Sequence, residues 1–325
     1  MSDLPPRPHF SSGFGVVMTF MGVAVGLGNV WRFPYMAAAF GGGAFLLVYL
    51  LVLVLFGIPA LMAELALGRM TRRGPMGAFT SIGMPMGRFI GWALFVTIFM
   101  AVSYYTVIVG WVLRYFFVSV TGQIDTIQPS AFFDDLLAGF AGQFVMTGIV
   151  LAMVAAVLVM GIREGIERIS KVGMPLLFVL LLVLIVRTLT LPGAGEGLRF
   201  YVSPDFTQIN AGVVTAALGQ VFFSLSLGGT FLLTYASYLP STTNLKTCAI
   251  SVGLGETAAA ILAGLVIVPA AVVFGLDLES GPPLTFITVP SIFGQMQAGS
   301  FFGALFFGLL FFAAFLSVVA AIEVL

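Results

Sequence analysis

Gly26-Leu27-Gly28-Asn29, followed directly by Val30-Trp31-Arg32-Phe33-Pro34, interrupts an apolar stretch that is otherwise long enough to cross a bilayer. Hydrocarbon offers no partner for the amides and carbonyls that a break exposes. A helix broken at membrane depth therefore lines a protein-enclosed cavity that holds ions or a polar ligand. This stretch predicts a transporter.

Composition points the same way. Apolar residues make up 60% of the chain, charged residues 8%, and the mean hydropathy is +1.14, whereas a soluble domain carries about 25% charged residues. Most of this surface is expected to meet lipid. The formal net charge is zero, with no basic run for nucleic acid. A single cysteine, Cys248, and a single histidine, His9, build neither a disulfide framework nor a zinc cage. The polar start, Met1 to Ser12, leads into an apolar segment without the small-residue cleavage site of a signal peptide, so that segment is expected to remain as a span.

Eight apolar segments follow, at about 14–38, 44–69, 89–119, 143–161, 170–190, 212–239, 246–275 and 301–325, each near the roughly 20 residues that a spanning helix needs. Arg7, Arg69, Arg72, Arg73, Arg88, Arg163, Arg168, Lys171 and Lys246 fall on one side if every segment crosses. Asp125, Asp134, Asp135, Glu196, Asp205, Asp277 and Glu279 fall on the other, with Arg199 as the loop cation. The positive-inside rule places the N-terminus in the cytoplasm. Residues 276–300 mix Gly281-Pro282-Pro283 with apolar Leu284 to Phe293, which predicts a loop folded back on the bundle. The sequence stops inside apolar helical text at Ile322-Glu323-Val324-Leu325, and is read as truncated.

A second interruption, Ser224-Leu225-Ser226-Leu227-Gly228-Gly229-Thr230, lies in the sixth segment. Small residues also let helices pack closely. Two breaks in corresponding spans, however, point to the binding site of an inverted-repeat transporter.

The stretch from Gly22 to Gly43 closely resembles the neurotransmitter:sodium symporter family. So do Gly57-Ile58-Pro59 with Glu64 and Gly68-Arg69, Ser103-Tyr104-Tyr105, Gly165-Ile166-Glu167-Arg168, Gln220 to Ser226 and Thr234 to Tyr238. The resemblance runs in collinear order from about residue 7 to the end. It implies an all-α integral membrane protein with broken first and sixth helices, and a single transmembrane domain over 1–325. Because members have eleven or twelve spans, it also implies that the second repeat is incomplete here. The implied activity is sodium-coupled amino-acid symport by alternating access across a bacterial cell membrane, with one or two sodium ions and no organic cofactor. A sensor or channel-like protein on the same scaffold is the alternative. No nucleophile, base and orienter constellation suggests an enzyme.

Carried over by resemblance, the first sodium site would use the Ala24 carbonyl, the Asn29 amide oxygen, Ser224 and the residue at position 256. Gly26 and Gly28 would offer amides to a substrate carboxylate, as helix N-termini do to anions, Tyr105 its hydroxyl, and Ala24 and Ser224 would border the substrate as well. Amine-carrying members have aspartate at the position of Gly26, so glycine there implies a substrate that brings its own carboxylate. Side-chain pocket positions map to Ala101, Phe223, Ser226, Gly229, Ser317 and Ala321, which leaves room for a large neutral or aromatic side chain.

Charges within spans invite a functional reading. By resemblance Arg32 belongs to an outer gate, and Arg7 and Tyr238 to an inner one. Glu64 would accept from amides freed by the sixth-span break. For Arg114, Arg187 and Glu323, near span ends, snorkelling is at least as good a reading. Two positions depart from the family pattern. The second sodium site would take the Gly22, Val25 and Ala313 carbonyls plus two side chains that align with Leu316 and Ser317, and leucine supplies no oxygen. Glu256 replaces the usual asparagine, and Ala260 stands where chloride-dependent members have serine, so transport is expected to be chloride-independent.

Overall fold

A computed structural model describes residues 10–278, 281 and 283–325. Among the described residues six helices are long and apolar enough to cross a membrane unbroken: Gly43–Thr71, Gly87–Val120, Phe140–Val159, Ile162–Leu189, Leu245–Val273 and Gly299–Val324. They correspond to the second to fifth, seventh and eighth segments expected from hydropathy. The first span is a bent pair, Gly13–Ala24 and Gly28–Ala39, meeting at 60°.

The sixth is more thoroughly divided than its apolar text suggests. Helix Ala211–Ser224 ends well short of a crossing, and only Phe231–Ala236 resumes before the chain turns away. Between them Ser226, Gly228 and Thr230 take φ of 54°, 78° and 58°, which no continuing right-handed helix allows. Two-thirds (67%) of the most apolar window is buried in each of the seventh and eighth spans, against 28% in the third and 17% in the fourth. The former two form the centre of the bundle, and the latter two turn their apolar faces outward.

Three spans or loops contain a turn of π-helix directly before a proline: Gly28–Arg32 before Pro34, Leu53–Gly57 before Pro59, and Leu284–Thr288 before Pro290. Proline donates no hydrogen bond, and its ring crowds the carbonyl four residues back, so a widened turn is a natural accommodation. For Pro290 that carbonyl belongs to Phe286. The Tyr115 hydroxyl donates to it at 2.7 Å, which fixes this segment to the third span. Phe286 also stacks on Phe133, with centroids 5.3 Å apart, and the Trp31 indole donates to the Gly281 carbonyl at 3.0 Å. The described part of 276–300 thus folds back on the bundle, as the sequence predicted.

Gly41-Gly42-Gly43, between the first and second spans, is a landing surface for the loop that follows the fifth. A Cβ on Gly42 would lie 2.2 Å from the Phe200 carbonyl oxygen, and one on Gly43 2.4 Å from the Ser203 carbonyl carbon. An isolated bridge pairs Gly42 with Pro204. At the other end of the first span, the Ser11 amide and hydroxyl donate to Glu167 at 2.8 and 2.6 Å, and Lys171 pairs with the same carboxylate at 2.7 Å.

Candidate functional site

Both breaks open on one cavity of about 270 Å³. Its walls are Ala24, Gly26 and Gly28 from the first span, Ala101 and Tyr105 from the third, Phe223, Ser224, Ser226 and Gly229 from the sixth, and Ser317 and Ala321 from the eighth. These are all eleven residues that the resemblance nominated for substrate. Tyr104, Leu227 and Phe231 line it as well and were not nominated. Tyr104 stands within Ser103-Tyr104-Tyr105 and Leu227 within the sixth-span break, where the resemblance assigns them no role, and Phe231 lies in apolar text that carries no motif. No acidic side chain is among the lining residues.

Close approach explains two glycines here. A Cβ on Gly26 would lie 2.8 Å from Ser317 Oγ and 3.0 Å from the Tyr105 hydroxyl, and one on Gly28 would lie 2.6 Å from the Phe223 ring. The Gly26 amide, expected to face a carboxylate, instead donates to Asn29 Oδ1 at 2.9 Å. Asn29 thereby replaces a helical hydrogen bond lost at the break, and its oxygen keeps one lone pair. The Leu27 amide meets the Tyr105 hydroxyl at 3.3 Å.

Beside the cavity Glu256 is wholly buried. Its Oε1 accepts from Asn29 Nδ2 and from the Ser224 hydroxyl, while Oε2 accepts from Thr257 at 3.2 Å and from Tyr49 at 3.4 Å. Asn29 Nδ2 also lies 3.3 Å from the Glu256 carbonyl oxygen and 3.5 Å from Ser224 Oγ. Asn29, Ser224 and Glu256, three of the residues nominated for the first ion, therefore form one cluster. Ion pairs among the described residues include Arg168–Glu164 and Lys171–Glu167, and none of those described joins a protein cation to Glu256. Gln220 Nε2 is buried and has no hydrogen-bond partner, and Ala260 is buried without a hydroxyl to offer.

The second nominated set lies on the other side of the first-span break. Ser317 Oγ is 3.2 Å from the Val25 carbonyl oxygen and 3.4 Å from that of Ala313. Leu316 packs against Gly22, its Cδ1 lying 2.9 Å from the point where a Cβ would stand.

Of the gate residues, Arg32 donates to Gln220 Oε1 and stands 4.8 Å over the Phe223 ring, at one end of the cavity. The Tyr238 hydroxyl donates to Glu323 at 2.8 Å, so Glu323 is tied to the sixth span and does not snorkel. Arg114, by contrast, is exposed. Arg7 lies outside the described residues. Glu64 accepts from the Gly228 amide at 3.4 Å, inside the sixth-span break, as expected.

The sequence model of the sodium:neurotransmitter symporter family matches residues 7–130 and 141–325. The chain belongs to this family. It is 36% identical over 329 residues to an uncharacterised sodium-dependent transporter of Bacillus subtilis (strain 168), covering 100% of this chain and 73% of that protein. It is 34% identical over 262 residues to the mouse sodium-dependent neutral amino acid transporter B(0)AT1, covering 71% of this chain and 41% of that protein. The crystal structure of MhsT in complex with L-phenylalanine superimposes with a TM-score of 0.89 at 40% identity, covering 98% of this chain and 74% of MhsT. As a sodium:neurotransmitter symporter the chain is an integral membrane transporter and not an enzyme. Its fold is that of the inverted-repeat members, with both discontinuous helices in place.

Proposed function

We propose that this symporter carries large neutral or aromatic amino acids by sodium-driven alternating access, without a requirement for chloride. One observation supports this reading above the others: a fully buried carboxylate, Glu256, with four side-chain donors and no protein cation, set beside a cavity that contains no acid. An unpaired buried charge is expensive, so this arrangement calls for a bound cation. Hard oxygen ligands suit sodium, which must also leave again. The Ala24 carbonyl, Asn29, Ser224 and Glu256 are its proposed ligands, and the substrate carboxylate completes the shell. Each ligand then favours the binding of the other.

The substrate class follows from the cavity. With no carboxylate in its lining, an amine would have no counter-charge, whereas an amino acid supplies its own. Phe223, Phe231, Tyr104 and Tyr105 beside Ala101, Gly229 and Ala321 make an aromatic-walled space of about 270 Å³ that takes a bulky apolar side chain. MhsT, solved with L-phenylalanine, and B(0)AT1, named for neutral amino acids, agree with this assignment. Chloride independence follows from Glu256, whose fixed charge occupies the neighbourhood where a chloride would sit among Tyr49, Gln220 and Ser224 and would repel it. Arg32 acts at the outer gate and Tyr238, with Glu323, at the inner one. Residues 1–325 act as a single transmembrane domain in a bacterial cell membrane with the N-terminus cytoplasmic.

The test is uptake of labelled L-tryptophan or L-phenylalanine into proteoliposomes. An inward sodium gradient drives uphill accumulation, potassium in its place does not, and replacing chloride by gluconate leaves the rate unchanged. Downhill flux alone would favour a channel-like protein, and a chloride requirement would refute the charge-replacement role of Glu256.

A further inference from the structure

We infer that this symporter couples one sodium ion, and not two, to each substrate, because Leu316 has turned the second ion position into an apolar contact. The inference rests on the sodium-coupled reading above and specifies its stoichiometry. A sodium ion that gives up its water must recover that stabilisation from oxygen ligands in the protein. The second set offers the Gly22, Val25 and Ala313 carbonyls and the Ser317 hydroxyl, and at the fifth place a leucine.

Geometry makes the loss larger than one oxygen. The Leu316 side chain is 3% exposed, and its Cδ1 sits 2.9 Å from where a Gly22 Cβ would stand, so the isobutyl group lies against the backbone of one proposed ligand. The nearest hydroxyl to that point, that of Ser170, is farther away at 3.4 Å. A water molecule replacing the missing oxygen would have to displace a buried methyl group. Ser317 Oγ, which has a single proton to donate, lies within 3.4 Å of the Val23, Val25 and Ala313 carbonyl oxygens, with Val25 the nearest at 3.2 Å. The Val25 carbonyl, freed by the break in the first span, thus has a protein donor and does not need an ion. Apolar packing continues around this contact, where Phe312 presses so closely on Gly173 of the fifth span that a Cβ there would lie 1.7 Å from the ring. No acidic side chain belongs to this set. The first set differs in holding a wholly buried carboxylate, that of Glu256, where this one holds an isobutyl group.

Stoichiometry is read from a thermodynamic measurement on the parent protein. In proteoliposomes with the membrane potential clamped at zero, the steady-state accumulation ratio of L-tryptophan is measured against the imposed sodium gradient. One coupled ion gives a slope of one on logarithmic axes, so a tenfold sodium gradient sustains about tenfold accumulation, and two ions give about a hundredfold. We expect a slope of one in the parent and a slope approaching two in Leu316→Thr, with Leu316→Ser as the second variant should the first fold poorly. A slope of two in the parent overturns this inference and leaves sodium-coupled transport standing. A slope of zero, with tryptophan uptake indifferent to sodium, overturns both.

Discussion

Sodium-dependent uptake in chloride-free medium falls by 100-fold or more in Glu256→Asn at sub-saturating sodium, since removing one partner of a buried ion pair costs about 3–5 kcal/mol. The carboxylate accepts from Asn29, Ser224, Thr257 and Tyr49, and the ion is its proposed counter-charge. Asparagine keeps an oxygen for sodium but not the charge, so the variant needs an anion from solution. Adding Ala260→Ser puts a hydroxyl one turn beyond position 256 on the same helix, and the buried, unpartnered Gln220 Nε2 supplies a further donor. The double variant Glu256→Asn/Ala260→Ser is expected to recover uptake when chloride is present and to lose it in gluconate. Undiminished chloride-free uptake by Glu256→Asn would contradict the role assigned to this residue.

The second large effect concerns folding. Gly42 adopts φ 57° and ψ −112°, a region that residues with a Cβ rarely enter, and its missing side chain is the space taken by the Phe200 carbonyl oxygen at 2.2 Å. Backbone strain of this kind costs on the order of 1–3 kcal/mol, and the clash with a backbone atom adds to it. Gly42→Ala is expected to lower the melting temperature in detergent by about 4–10 °C and to reduce the folded yield. Gly148, in the fourth span, has nothing within 4 Å of its Cβ position. Gly148→Ala, which removes a flexible residue from a helix, leaves the melting temperature unchanged or slightly raised. A Gly42→Ala protein as stable as the parent would show that the loop after the fifth span does not depend on this landing.

What was legible beforehand follows from how locally each feature is written. Hydropathy locates the spans because burial in lipid is a property of consecutive residues. Gly26 to Asn29 marks the first break because glycine and asparagine tolerate, and partly satisfy, an interrupted backbone. All eleven nominated substrate residues line the cavity because a family motif carries spatial information that composition does not. Tyr104 and Leu227 stand inside quoted motifs whose neighbours carry the implied roles, and Phe231 stands in apolar text where lining a cavity and facing lipid look alike. The link from Tyr238 to Glu323 joins residues 85 apart, and a charge near a span end reads locally as snorkelling. The three glycines at 41–43 looked like part of the signature, yet all three make room for Phe200, Ser203 and Gln208, far along the chain, a pairing that no local pattern announces. The sixth span was the hardest to read, since only six residues of helix, Phe231–Ala236, follow its break. Apolar composition through Leu239 concealed that shortness.

The central claim is that the cavity at the two breaks is built for a molecule that brings its own carboxylate to a sodium ion. Equilibrium binding of tryptophan and of tryptamine to the purified protein, each in sodium and in potassium, tests it most directly. Tryptophan is expected to bind only in sodium, and tryptamine about 10–150-fold more weakly, the equivalent of losing a hydrogen bond to a charged group before any loss of ion contact is counted. Equal affinities for the two, or tryptophan binding that ignores sodium, would contradict the account.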